Sequence, residues 1–300
     1  MDDVAGKVAV VTGGSSGIGR GIALAFARAG MRVVVTGRRA EHLDETSAVF
    51  RDAGLEVRAL SVDVTDLAAM RAAADEIEAE FGRVDVLVNN AGIGLTGPVA
   101  DATPDDWAWI IDVNIRGVGN GIQAFLPKIR AHGEGGHIVN TASMAGLLPI
   151  VAGLYSMTKA AVIALSEALH IELLPEGIGV SAYCPGPVHS NISSGTALRP
   201  ERYGESGYAQ RDPGFAEFSK TQPYMTAEEA GERVLLGVRR GDMFILTHPE
   251  FAAGVIDRHR AIEGAFPDEP VDDVRAAAIP FLISSPVYSA ENRPPAPRLP

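Results

Sequence analysis

A chain of 300 residues with 46% hydrophobic content can bury a substantial core, and the length suits one large α/β domain or two small ones. Acidic residues outnumber basic ones 38 to 26, and the net charge of −12 argues against a nucleic-acid surface or an anionic-membrane role. Cys184 is the only cysteine, which excludes an intrachain disulfide and a cysteine-rich zinc site and points to a reducing cytoplasm.

The opening "MDDVAGKVAVVTGG" matches neither a signal peptide nor a membrane span, so the chain is expected to be soluble and unprocessed. Short Val-rich runs then alternate with Ala-rich helical stretches: "KVAVVTG", "GIALAFARAG", "MRVVVTG", "AEHLDETSAVFRDAG", "EVRALSVDV", "LAAMRAAADEIEAEFG" and "VDVLVNN". Continuous apolar strands separated by amphipathic helices predict buried parallel strands joined by right-handed crossovers, a doubly wound sheet.

Between the first strand and the first helix lies "VVTGGSSGIGRG". Gly13, Gly17 and Gly19 would permit a tight turn, a close backbone approach to a pyrophosphate and tight helix packing, with Ser15, Ser16 and Ile18 between them. The spacing is G-x-x-x-G-x-G, and its place after strand one makes a dinucleotide cradle a better reading than a plain tight turn. The second strand ends "VVVTGRR". A carboxylate there would bind a ribose 2′-hydroxyl, whereas an arginine tolerates a 2′-phosphate. Gly37 leaves room and Arg38 or Arg39 supplies charge, so NADP(H) is preferred over NAD(H), which stays possible; the plainer alternative is two surface cations at a helix start.

In the second half, "TPDDWAWIIDVNIRGVGNGIQAFLPKIR" predicts a long helix with Thr103 as N-cap, Pro104 at the first helical position and Asp106 completing a capping box. The strand "GGHIVNTAS", a helix containing "LYSMTKAAV" and the strand "GIGVSAYCP" follow. Tyr155 and Lys159, four apart on that helix, would share one face. From about residue 190 to 225 the periodicity fades into a segment rich in Gly, Ser, Pro and aromatics, which reads as a substrate loop or lid. "TAEEAGERVLLGVRR" restores a helix capped by Thr226, and "MFILTHPE" is a seventh strand. Residues 1–265 are expected to form a single domain, and 266–300 a Pro-rich C-terminal extension.

Taken in order, "TGGSSGIG" at 12–19, "DV" at 63–64, "NNAG" at 89–92, Asn114, Ser143, the Tyr155/Lys159 pair and "PGPV" at 185–188 resemble the classical short-chain dehydrogenase/reductase family over roughly residues 5 to 250. The resemblance implies a Rossmann-type seven-stranded parallel sheet flanked by helices, and an oxidoreductase acting on CH–OH groups with a nicotinamide cofactor. It implies Tyr155 as the acid/base, with Lys159 lowering the phenol pKa and binding the nicotinamide ribose. Ser143 would bond the substrate oxygen and Asn114 would hold a water leading from Lys159 to solvent. Asp63 and Val64 would border the adenine, and the backbone of Asn89, Ala91 and Gly92 would line the ribose. Pro185, Gly186, Val188 and Ser190 would meet the nicotinamide end. A finer similarity, in "HGEGGHIVNTASMAGL" and "HPE", is to bacterial Cα-dehydrogenases that oxidise benzylic alcohols of lignin-derived aryl ethers; that subgroup usually carries an acid where this chain has Gly37.

The expected substrate is a small hydrophobic or aromatic secondary alcohol or ketone, gripped by the loop and by Gly94, Leu95, Met144, Ala145, Leu148, Pro149 and Ile150. Tyr203, Tyr208, Phe215, Phe218 and Tyr224 give the loop an aromatic surface, with simple packing of the loop onto the body as the even alternative. Trp107 and Trp109 suit either core or interface, His189 is expected to be structural, and a homodimer or homotetramer follows from the resemblance. An NAD-dependent Cα-dehydrogenase and a non-catalytic nucleotide sensor are the alternatives; the intact Ser143, Tyr155 and Lys159 argue against the sensor.

Overall fold

The computed structural model describes residues 1, 3–149, 152–192, 198–208, 221–280 and 283–288. Its strands are β1 (Val8–Thr12), β2 (Arg32–Gly37), β3 (Arg58–Ser61), β4 (Val86–Asn89), β5 (Gly136–Thr141), β6 (Ile178–Cys184) and β7 (Phe244–Leu246). They form one seven-stranded sheet in the order β3-β2-β1-β4-β5-β6-β7. Every neighbouring pair is parallel. The strand order reverses between β1 and β4, and the chain therefore leaves these two neighbours in opposite directions, opening a crevice at their C-terminal ends.

The apolar runs are continuous because both faces of the sheet are covered. On β1, Val8 and Val10 pack with Trp109, Phe125 and Ile129 on one face, while Ala9 and Val11 pack with Ile22, Phe26 and Val234 on the other. Crossovers are supplied by α1 (Gly17–Arg28), α2 (Ala40–Asp52) and α3 (Leu67–Phe81) in the first half. In the second half come α4 (Pro104–Ile111), α5 (Gly117–Ala131), the short α6 (Met144–Leu147), α7 (Gly153–Leu173) and α8 (Ala227–Arg240). No helix among the described residues is long and apolar enough to cross a membrane.

Both expected N-caps form. Thr103 and Asp106 close a capping box at α4, and Thr226 closes another with Glu229 at α8. The expected long helix runs from Pro104 to Ala131, with a π-helical turn, Asp112–Arg116, inserted between α4 and α5. Asn114 sits on that turn and is fully buried. Trp109 is fully buried in the core, whereas Trp107 lies at the surface. Beyond β7, α9 (Ala252–Glu263) buries no residue, α10 (Asp273–Ala278) follows, and Val287 is buried beside α7, where Tyr288 Oη donates to Glu167 Oε1 at 2.7 Å.

Helices α1 and α8 cross in close contact. The crossing depends on Gly21 and Gly231, since a β-carbon at Gly21 would overlap the Ala227 carbonyl and one at Gly231 the Gly21 carbonyl. Gly21→Ala should therefore lower unfolding free energy by about 2 kcal/mol, read from the urea midpoint, despite alanine's better helix propensity.

Candidate active site

The crevice between β1 and β4 is held by side chains that the motif comparison did not single out. Thr12 Oγ1 accepts from Asn90 N at 3.0 Å and Ala91 N at 3.1 Å, while Asn90 Nδ2 donates to Thr12 O and Gly13 O. The glycine turn and the "NNAG" turn are thereby one unit. Gly13 and Gly17 have φ of +63° and +51°, a left-handed conformation that L side chains rarely adopt. A β-carbon on Gly13 would stand 2.8 Å from Ala91 Cα, so the space above the turn exists only because the residue is glycine. Ser16 makes no side-chain cap at α1, and no acid lies in the first turn, which leaves that helix end suited to an anion. This cradle fits a pyrophosphate. Ser15 is buried behind it, its carbonyl accepting from Thr46 Oγ1 at 2.9 Å, and Ile18 packs toward the sheet.

At the adenosine side, Arg38 and Arg39 are both exposed at the end of β2, but they do different things. Arg39 pairs with Glu41 at 3.6 Å. Arg38 Nη2 donates to Leu198 O at 3.1 Å. Asp63 lies in the adjoining turn; burial would raise its carboxyl, yet hydrogen bonds from Thr65 N and Oγ1, with help from Arg38 and Arg202, hold it below the ordinary range. Val64 is buried against Gly117, and its carbonyl accepts from Asn120 Nδ2 at 2.8 Å. Asn89 turns its amide into the sheet, donating to Asn140 Oδ1 at 2.9 Å, which leaves only its backbone to face the crevice.

Four elements meet beside Gly92. A β-carbon there would stand 3.3 Å from Asn114 Oδ1 and 3.5 Å from Lys159 Nζ. Asn114 Oδ1 accepts from Ile93 N at 2.9 Å, and its Nδ2 donates to Ile93 O and to Thr158 Oγ1. Thr158 in turn donates to Tyr155 O at 2.8 Å. Lys159 is almost wholly buried, donates to Thr141 O at 2.8 Å, and lies 5.6 Å from the Tyr155 ring centroid. Ser143 caps α6 by accepting from Ala145 N, and it also bonds the Tyr155 phenol.

The resemblance implies that Lys159 and a bound nicotinamide ring together lower the phenol pKa; in the protein alone burial raises Tyr155 and the Ser143 hydrogen bond partly offsets it. Burial also lowers Lys159 to about 8. The desolvation that encloses the pair disfavours charge on both members.

At the other end, Pro185 O accepts from Met144 N, and Gly186 N donates to Thr247 Oγ1 at 3.0 Å, which also contacts His248 Nδ1. Val188 is buried and bridges to Met225. Ser190 reaches back to the glycine turn, where a β-carbon on Gly17 would meet Ser190 Cβ at 3.1 Å. His189 stacks at 5.5 Å on Tyr224. Gly94 lies against Ile192, Leu95 is buried, and Leu148 rests on Gly254. Ile150, Phe215 and Phe218 lie outside the described residues.

Two of the loop aromatics pack inward, as the plainer alternative had it. Tyr203 is buried against Trp109 and donates to Asp112 Oδ2 at 2.9 Å, and Tyr208 is buried over Gly97. The loop is fastened at Asp106, a residue expected only as a cap. Its carboxylate is fully buried and accepts from Arg199 Nη1 at 2.5 Å, Ser206 Oγ at 2.7 Å and Gly207 N at 2.9 Å. Burial would raise this acid, but those donors and Thr103 N lower it to about 2.

The chain is similar to known proteins over most of its length. The short chain dehydrogenase family matches residues 7–199. A C alpha-dehydrogenase of Sphingobium sp. is 38% identical over 265 residues, 87% of each chain. The crystal structure of a short chain dehydrogenase/reductase from Burkholderia phymatum, in complex with NAD, superposes with a TM-score of 0.82 at 35% identity, covering 91% of this chain and 100% of that one. The apo form of LigD from Sphingobium sp. gives a TM-score of 0.74 at 33% identity, covering 89% and 100%.

Asp106→Asn should cost about 3 kcal/mol, because Arg199 would keep its buried charge without a carboxylate. Ionised Asp106 stabilises the fold above the unfolded acid's pKa, and this contribution fades as pH falls toward the folded value of about 2. The gap between wild type and variant in urea midpoint should therefore narrow as buffers are taken from about pH 6 to about pH 2.

Proposed function

The chain belongs to the short-chain dehydrogenase/reductase family, and from that footing we propose that it interconverts a hydrophobic or aromatic secondary alcohol and its ketone using NADP(H). The observation that carries this reading is the convergence of Asn114, Ser143, Tyr155 and Lys159 at the mouth of the β1–β4 crevice.

Bound nicotinamide supplies or accepts the hydride at its C4. The glycine turn of Gly13, Gly17 and Gly19 and the α1 amides hold the pyrophosphate. Gly92, Asn89 and Ala91 give backbone to the nearer ribose, and Pro185, Gly186, Val188 and Ser190 bound the nicotinamide end. Tyr155 takes the hydroxyl proton when an alcohol is oxidised and returns it when a ketone is reduced. Ser143, already bonded to the phenol, holds the substrate oxygen in line with it. Lys159 stays cationic at neutral pH, since its pKa of about 8 leaves most of it protonated. Its charge would favour the phenolate and its amine, directed by the Thr141 carbonyl, would bond a bound ribose. Tyr155 would meet a second positive charge if an oxidised nicotinamide were bound, and that charge would oppose the effect of burial.

Arg38 supports NADP(H), because no carboxylate stands at the end of β2 to repel a 2′-phosphate. Two findings favour a neighbouring reading, NAD-dependent oxidation of a benzylic alcohol: the identity to a C alpha-dehydrogenase and the NAD-bound relative. We further take residues 1–265 as the catalytic domain and 266–300 as an extension, in a homo-oligomer of the cytoplasm.

Tyr155→Phe should lower kcat by about 10³-fold or more while NADPH binding, followed by nicotinamide fluorescence, stays unchanged; retained turnover of an aryl alcohol or ketone would refute the acid/base assignment. Arg38→Asp should raise KM for NADPH about 10-fold or more and leave that for NADH nearly level, and an equal change in both would remove the NADP(H) preference.

A further inference from the structure

The substrate loop touches the crevice at a second place, far from the catalytic cluster. Strands β2 and β3 run in register Gly37 to Ser61, and Val62 N donates to Gly37 O at 3.0 Å. The turn after β3, which holds Asp63 and Thr65, is thus set beside the turn after β2, which holds Arg38. Across these two turns lies the segment Leu198–Tyr203. Its Leu198 carbonyl accepts from Arg38 Nη2 at 3.1 Å. Four residues on, Arg202 Nη2 donates to Asp63 Oδ2 at 3.3 Å and to Thr65 Oγ1 at 2.9 Å. Arg202 is bonded to Asp63, and Arg38 is near enough for its charge to help lower that carboxyl as well.

Arg202 is not carried by a loose stretch. Its guanidinium lies 5.0 Å from the Tyr203 ring, Tyr203 is buried and bonded to Asp112, and Arg199 is locked onto Asp106. Yet the Arg202 side chain keeps 54% of its surface open, and only one of its nitrogens is used in the Asp63 and Thr65 bonds. A guanidinium carries five N–H donors, so donors remain for a planar anion. An ordinary surface ion pair explains the bond to Asp63 but not the Arg38 bond to the same segment.

We propose that Arg202 is a second guanidinium for the 2′-phosphate of the adenosine ribose, acting together with Arg38. This rests on the NADP(H) reading above and extends it from the strand turn to the substrate loop. A phosphate monoester brings a charge near −2; a single arginine beside Asp63 leaves no net positive charge to receive it, whereas two guanidiniums against the one carboxylate leave a surplus. The segment that shapes the substrate site then also reads which cofactor is bound, because the same phosphate would bridge Arg38, itself bonded to the loop backbone, and Arg202.

The test uses fragments, so that binding is read without turnover. Calorimetric titration of the wild-type chain with 2′,5′-ADP and with 5′-AMP measures the contribution of the 2′-phosphate alone. The wild type should bind 2′,5′-ADP about 10-fold or more tightly than 5′-AMP, and Arg202→Gln should lose about 10-fold for 2′,5′-ADP with 5′-AMP unchanged. The unchanged 5′-AMP affinity also reports an intact fold. If Arg202→Gln leaves both affinities alone while Arg38→Gln weakens 2′,5′-ADP, the role of Arg202 is overturned and the NADP(H) reading stands. Equal loss for both fragments overturns it as well, because the residue then serves the adenine. If the wild type does not prefer 2′,5′-ADP at all, the NADP(H) reading falls and this inference with it.

Discussion

One buried carboxamide ties the catalytic region together. Asn114 bonds both backbone groups of Ile93, in the turn that leaves β4, and through Thr158 it reaches the backbone of Tyr155 on α7. Three elements distant in sequence are thereby referred to a single side chain with its hydrogen-bonding capacity nearly used up. An unpaired amide in this dry setting is costly, so the bonds are made together or lost together. The π-helical turn beneath Asn114 is what lets it reach. An uninterrupted α-helix would rotate the side chain away from Ile93, and the extra residue in the turn redirects it.

Charge in the cluster is governed by the same dryness. Lys159 is enclosed and turned toward a backbone carbonyl, and Tyr155 is pressed toward its neutral form. A charged ligand entering the crevice would shift that balance for both groups.

Much of this was legible in the chain. Continuous Val-rich runs announced strands buried on two faces, the sequence TPDD announced a capped helix start, and glycines at 13 and 17 announced the left-handed turns that the backbone adopts. The residues that meet beside Gly92 could be picked out because their motifs are local and keep their order. What could not be read was tertiary. A π turn leaves no periodic trace within a helical pattern. The Arg199–Asp106 pair spans 93 residues, and neither partner announces the other. The inward turn of Tyr203 and Tyr208 depends on Trp109 and Gly97, which nothing in the loop specifies. The direction of the Tyr155 shift depends on how completely the site is walled in, a property no pair of residues encodes.

The outer border of the sheet on the β3 side carries a different consequence. β3 has four residues, and its first, Arg58, is bonded to Glu76 and Glu80 of α3, so the border is brief and strongly ionic. An open row of peptide groups this short offers little purchase to a stray strand from another molecule. Pairing between molecules along that border is thereby disfavoured by the shortness of the strand and by the charges at its first residue.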